Sequence, residues 1–312
     1  MVISASSMKR FLSALSLVLL SCEVLLARVR SEDFSPRSQG KGSTLFEKLS
    51  AERTGLRLVN PIDTSHPLKR LYVGGYASGG LAIGDIDGDG LQDVFAVGGP
   101  VKNALYLQSK DAKGRATLHF QDVTAKVPGL DGGELWGAGA ALADIDNDGD
   151  LDLYICHHDA PNHLFINETQ LPGEPIFTEC AAKFGVNVHD ASFMPSFIDY
   201  DNDGDLDLFV LGYQFKDPKG RPRQYRDPSG EVRVEDDQGL LVTKRGDGYV
   251  LREGAEKYYA LVGPSASPKF TNAGRPDFLL RNDGNRFTDV TEEAGIQGRG
   301  VGNSATWFDY GE

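Results

Sequence analysis

Long apolar runs are missing from this chain of 312 residues. The one stretch that stands out, residues 11–20, is half the roughly 20 residues a membrane-spanning helix needs. Positive charge is also short, with 32 Lys and Arg against 45 Asp and Glu and a net charge of −13. That balance argues against nucleic acid, whose phosphates are bound by clustered cations that displace counterions. Cysteine is scarce as well: of 3 in total, Cys22 falls near an export signal, which leaves Cys156 and Cys180. An exported protein permits a disulfide between those two, and a pair of buried free thiols is the alternative. Convincing amphipathic helices are few after residue 60. No Gly-x-Ser-x-Gly elbow, phosphate loop or dinucleotide fingerprint occurs, so the residues give no reason to expect an enzyme.

Glycine is abundant, with 37 residues set beside short apolar segments, a pattern of many tight turns between strands. Three of these turns are copies of an aspartate ladder, Asp-x-Asp-x-Asp-Gly-x-x-Asp. The first is Asp85, Asp87, Asp89, Gly90 and Asp93. The second is Asp144, Asp146, Asp148, Gly149 and Asp152, and the third is Asp199, Asp201, Asp203, Gly204 and Asp207. Starts lie 59 and 55 residues apart, and Asp309 follows 110 residues, or two periods, after Asp199.

An extended backbone would point alternate carboxylates apart. Glycine at the sixth position lets the chain curl, so that positions one, three, five and nine gather around one point. The carbonyls at position seven, those of Leu91, Asp150 and Asp205, can join them. An oxygen-only donor set in a flexible cage suits calcium better than magnesium, giving about three calcium sites. An EF-hand would need Glu at position twelve, where this chain has Ala96, Ile155 or Val210.

Each ladder is preceded by small and apolar residues and followed by a strand such as Val94-Phe95-Ala96-Val97 or Leu208-Phe209-Val210-Leu211. A third strand follows, and then a signature Phe-x-x-x-(Thr/Ser/Ala) that runs on to a Gly-aliphatic pair, seen at 46–56, 120–130, 177–186 and 287–296. About four short strands per period make one propeller blade. The strands after the ladders are apolar on both faces with no room for crossover helices, so sheet must pack on sheet. The expected fold is all-β, an incomplete β-propeller of three to four four-stranded blades with calcium loops. Charged sequence at 213–270 reads as an insertion in the third unit.

The ladders Asp85-Ile86-Asp87-Gly88-Asp89-Gly90, Asp144-Ile145-Asp146-Asn147-Asp148-Gly149 and Asp199-Tyr200-Asp201-Asn202-Asp203-Gly204 resemble FG-GAP/VCBS repeats, like the calcium-binding blades of the integrin α-chain propeller. Residues 276–296, Pro276-Asp277-Phe278-Leu279-Leu280-Arg281-Asn282-Asp283-Gly284 and onward, resemble bacterial relatives of cartilage acidic protein, a group often carrying an ASPIC/UnbV domain. This resemblance covers residues 45–312. It implies an exported, calcium-stabilised scaffold that binds a protein or glycan. An extracellular propeller enzyme acting on polysaccharide or lipid is the alternative, with Glu235, Asp236 and Asp237 as its acids. Fold alone does not choose between them.

The N-terminus reads as a signal over residues 1–27, Lys9 and Arg10 preceding the apolar stretch, with a lipoprotein-like box ending at Cys22 and a polar linker at 28–44. Membrane contact is expected only through such a lipid anchor. Because Gly311 and Glu312 replace the continuation of a fourth ladder, the sequence reads as a truncated member, with self-association as one route to closure. His157, His158 and His163 fit no familiar metal site and are expected in an exposed loop. Trp136 and Trp307 read as blade packing. Asn167-Glu168-Thr169 is a glycosylation sequon, relevant only to a eukaryotic secretory pathway.

Overall fold

The computed structural model describes residues 47–74, 79–284 and 286–307. The chain divides into residues 1–48 and 49–312, and the fold below is that of the second unit. The signal, linker, Cys22, Phe46 and Asp309 lie outside the described residues.

Blade 1 is a four-stranded antiparallel meander of β1 (Leu81–Gly84), β2 (Asp93–Ala96), β3 (Ala104–Lys110) and β4 (Ala116–Asp122). Blade 2 repeats it with β5 (Gly137–Ala143), β6 (Asp152–Pro161), β7 (His163–Asn167) and β8 (Phe177–Glu179). Blade 3 begins with β9 (His189–Ile198) and β10 (Asp207–Gly212). The chain then leaves the blade and builds small sheets from β11 (Arg223–Arg226), β12 (Val232–Asp236) and β13 (Gly239–Leu240), from β14 (Val242–Arg245) and β15 (Gly248–Leu251), and from β16 (Tyr259–Val262) and β17 (Lys269–Asn272). It returns through β18 (Arg275–Pro276) to β19 (Phe278–Asn282), which pairs directly with β10, and to β20 (Phe287–Asp289), while β21 (Arg299–Gly300) pairs with β18. Two four-residue helices, α1 (Ala51–Thr54) and α2 (Ala181–Phe184), complete a nearly all-β arc of three propeller blades. No helix among the described residues is long and apolar enough to cross a membrane.

Alternation along each second strand builds the core, because neighbouring side chains point to opposite faces. On β2, Val94 and Ala96 meet Leu56 and Leu58, whereas Phe95 joins Leu153 and Ile155 of blade 2. Tyr154 and Cys156 of β6 turn the other way and pack with Leu208 and Val210 of blade 3. Phe209 and Leu211 then face Ala305 and Trp307, the indole lying edge-on to Phe209 at 5.4 Å. Every blade boundary is thus an apolar layer. Burying each of its large side chains is worth about 1.5–3 kcal/mol.

The Phe-x-x-x-Thr signature has a local explanation. Thr124 Oγ1 accepts from Leu105 N at 2.9 Å and Thr291 Oγ1 from Leu279 N at 2.9 Å, fastening the turn to the third strand. The aliphatic residue ending the signature packs on the next blade: Leu130 with Leu153 and Phe165, and Val186 with Leu280 and Phe287. Glycine before it is required by approach as well as by φ of +79°, since a Cβ at Gly185 would sit 3.1 Å from Phe287 O and one at Gly55 2.2 Å from Phe120 O.

The histidines differ from expectation. His157 and His158 are 0% and 5% exposed, on a β6 that runs past the blade and pairs with β9 through His158, Ala160 and Pro161, so the expected loop is strand. Cys156 and Cys180 are free thiols. Trp136 is buried against His66 and Tyr72.

Candidate metal centres

Each ladder is the turn between the first two strands of its blade, and its geometry is the same three times. Positions four and six hold left-handed backbone: Gly88 and Gly90 at φ of 71° and 85°, Asn147 and Gly149 at 60° and 97°, Asn202 and Gly204 at 61° and 98°. Glycine and asparagine are the residues that enter this region at low cost. Position four was visible in the sequence as Gly, Asn, Asn, and its role comes from the turn.

Carboxylates hold the turn. The first-position oxygens accept the N–H groups of positions five and six: Asp85 from Asp89 and Gly90 at 3.0 and 2.8 Å, Asp144 from Asp148 and Gly149 at 3.1 and 3.0 Å, Asp199 from Asp203 and Gly204 at 3.1 and 3.2 Å. At position five, Asp89, Asp148 and Asp203 accept from the N–H groups of Leu91, Asp150 and Asp205. At position nine the carboxylate bridges strands. Asp93 accepts from Ile86 and Gln108, Asp152 from Ile145 and Asn167, and Asp207 from Tyr200 and Asn282, all at 2.8–2.9 Å.

Three groups of carboxylates come together, each with ligand atoms within 4.8 Å of one another: Asp85, Asp87 and Asp93; Asp144, Asp146 and Asp152; Asp199, Asp201 and Asp203. Asp89, Asp148 and Asp207 are outside these groups. Asp89 is instead paired with Lys110 Nζ at 3.2 Å. Like charges about 5 Å apart repel by roughly 3 kcal/mol per pair at an effective dielectric near 20. Burial pushes Asp93 up to about 6 and Asp152 up to about 7, against their hydrogen bonds. Asp87 and Asp146 are raised by burial and by neighbouring ladder carboxylates. Asp146 Oδ1 is buried without a hydrogen-bond partner. An all-oxygen set with an orphaned buried carboxylate oxygen fits a hard divalent cation.

The residues that tie one loop to the next blade were not anticipated. Asn167 donates from its amide to Ile86 O at 2.8 Å and Leu151 O at 3.1 Å, spanning blades 1 and 2. Asn282 does the same between blades 2 and 3, to Ile145 O and Leu206 O at 3.2 and 3.3 Å. Asn167, the sequon residue, is 1% exposed and is a structural clamp. Gly173 N adds a bond to Asp87 Oδ2 at 2.6 Å. Of the acids proposed for catalysis, Glu235 accepts from Tyr225 Oη, Asp236 pairs with Arg252, which holds it below the ordinary carboxylate range, and Asp237 pairs with Lys219.

Residues 85–155 and 144–210 each match the family described as FG-GAP-like repeat. Cartilage acidic protein 1 of Xenopus tropicalis is 30% identical over 162 residues, which is 50% of this chain and 22% of that protein. The chain therefore carries two matched FG-GAP-like repeats that together contain all three ladders, and over half its length it is a weak homologue of cartilage acidic protein 1.

Proposed function

We propose that this chain is an exported calcium-binding repeat protein whose blades serve as a scaffold for a protein or glycan ligand. The observation that carries the reading is the threefold recurrence of one loop geometry with carboxylates gathered at its centre. Four oxygen-bearing positions per loop, with the carbonyls of Leu91, Asp150 and Asp205 within the same turn, supply a calcium coordination set. The engagement of Glu235, Asp236 and Asp237 in pairs supports a non-catalytic role. Export is supported by the basic and apolar N-terminus, and the acidic surface disfavours nucleic acid. Self-association belongs to the same proposal, through the inner strand of blade 1, where Leu81 and Ile83 are 67% and 60% exposed.

Calcium titration followed by calorimetry tests the reading. About three ions per chain are expected, each lost when its first-position aspartate is replaced, as in Asp85→Asn, Asp144→Asn or Asp199→Asn. Absence of calcium uptake by the folded protein would overturn it.

A further inference from the structure

Around the small sheets several cations are matched to acids. Arg275 makes two bonds to Asp190, Arg252 two to Asp236, Arg233 reaches Asp227 and Glu231, and Lys257 reaches Asp159. Arg70, Lys216 and Arg221 are not so matched, and what sets them apart from other unpaired cations is that they meet in one place. They converge on one cavity of about 40 Å³, and none of them makes an ion pair among the described residues. Asp217 lines the same cavity without forming an ion pair with them, its Oδ1 accepting from Lys219 N and its Oδ2 from the Tyr259 hydroxyl, both at 2.8 Å, so one negative charge stands against three positive ones.

The cavity is shaped to hold these charges. Gly220, at φ of +107°, leaves space that a Cβ would close, since that atom would stand 2.7 Å from Arg70 Nη1. The Tyr259 hydroxyl also lies 3.0 Å from Gly220 O, fixing the turn from the other side. Arg70 Nε is buried with no hydrogen-bond partner, a donor costly to leave unmet. Lys216 is held below the ordinary lysine range by burial and by the charges of Arg221 and Arg70. Three cations beside a single carboxylate leave an excess of positive charge in a chain of net charge −13, which is compensated most directly by a further anion.

Arg221, Tyr259 and Asn272 are shared with a second, open cleft of about 310 Å³ that also presents Gln224 and Phe270. Amides for hydroxyl groups and aromatic faces for apolar ring surfaces are the chemistry of a sugar site. We propose that Arg70, Lys216 and Arg221 receive the sulfate or carboxylate group of an acidic saccharide whose ring occupies the adjoining cleft. This rests on the scaffold reading and names its ligand class and its site.

Calorimetric titration of the calcium-loaded protein with a heparin-derived tetrasaccharide, a hyaluronate tetrasaccharide, uncharged maltotetraose and sodium sulfate tests it. Binding of at least one charged tetrasaccharide is expected, with none of the neutral one, and the two charged sugars tell sulfate from carboxylate. Arg70→Gln, Lys216→Gln and the exposed Arg221→Gln should each weaken binding about tenfold, with Lys244→Gln on β14 as an unaffected control. Circular dichroism checks that each variant is folded, and Arg221→Gln carries the test if Arg70→Gln is not. Silence from both charged sugars, equal binding of maltotetraose, sodium sulfate binding as tightly as the sugars, or indifference to all three substitutions would overturn the site. Calcium uptake without saccharide binding defeats this inference alone, whereas saccharide binding without calcium uptake defeats the calcium reading alone.

Discussion

Blades 1 and 2 offer the same positions to whatever precedes them, and among the described residues only blade 2 meets a complete neighbour. Two residues before its ladder, Leu142 packs into the layer shared with blade 1. The equivalent Ile83 is 60% exposed. Fifteen residues after the ninth ladder position, Asn167 clamps the loop of blade 1, whereas Gln108 stands at that place in blade 1 and contributes its backbone N–H to Asp93. Residues 49–58 cover only the outer part of the blade 1 face, through Leu56 and Leu58. Burial here is a property of the neighbour and not of the residue type.

The loops differ in the same way. Loop 1 lies under blade 2, receives Asn167 and Gly173, and buries Asp87 and Asp93. In the third loop, Asp201 and Asp203 are exposed. Chelation is the largest perturbation expected. Calcium at about 100 times its dissociation constant stabilises by about 2.7 kcal/mol per site, so emptying three sites should remove on the order of 8 kcal/mol. Scanning calorimetry with and without EDTA would show this as a lowered melting temperature, and an unchanged melt would count against structural calcium. Stepwise removal followed by native mass spectrometry should empty the open third loop before the covered first one.

Acid should act on blade 2 in particular. His157 stands where blades 1 and 3 have Gly98 and Gly212, each with its N–H capped by the residue before the third strand: Asn162, Asn103 and Asp277. Burial, and next the nearby His163, pull His157 down to about 4 from 6.5. A folded value below the unfolded one means that the unfolded chain takes up the proton first. The contribution of this group is therefore intact above pH 6.5 and is lost as pH drops toward 4, by up to about 3 kcal/mol. Asp93 and Asp152, raised to about 6 and 7, contribute with the opposite sign over the same range, so the test is the difference in urea unfolding between the parent and His157→Gln, which should shift against the parent as pH drops from 6.5 to 4.

Smaller effects test the two faces directly. Leu142→Ala should cost about 2 kcal/mol, while Ile83→Ala stays below about 0.5 kcal/mol. Asn167→Ala and Asn282→Ala each leave two carbonyls without their donor and should cost about 1–3 kcal/mol. Gln108→Ala, with no loop to clamp, should change almost nothing. Equal losses at Ile83 and Leu142 in equilibrium unfolding would mean that the open face of blade 1 is covered in solution.

What the sequence determined by itself is local. A ladder spans nine residues, its curl depends on left-handed positions four and six, and its carboxylates bond to N–H groups at most seven residues away within the loop. Continuous apolar runs likewise announced strands buried on both faces. The tertiary structure decided the rest, because those contacts join residues far apart: Asn167 and Ile86 are separated by 81 positions and Asn282 and Ile145 by 137. It also turned an expected histidine loop into buried strand, since β6 gained a partner in β9 that no local pattern specifies. Short-range geometry is written in spacing, whereas the partner across a blade boundary is chosen only when the sheets pack.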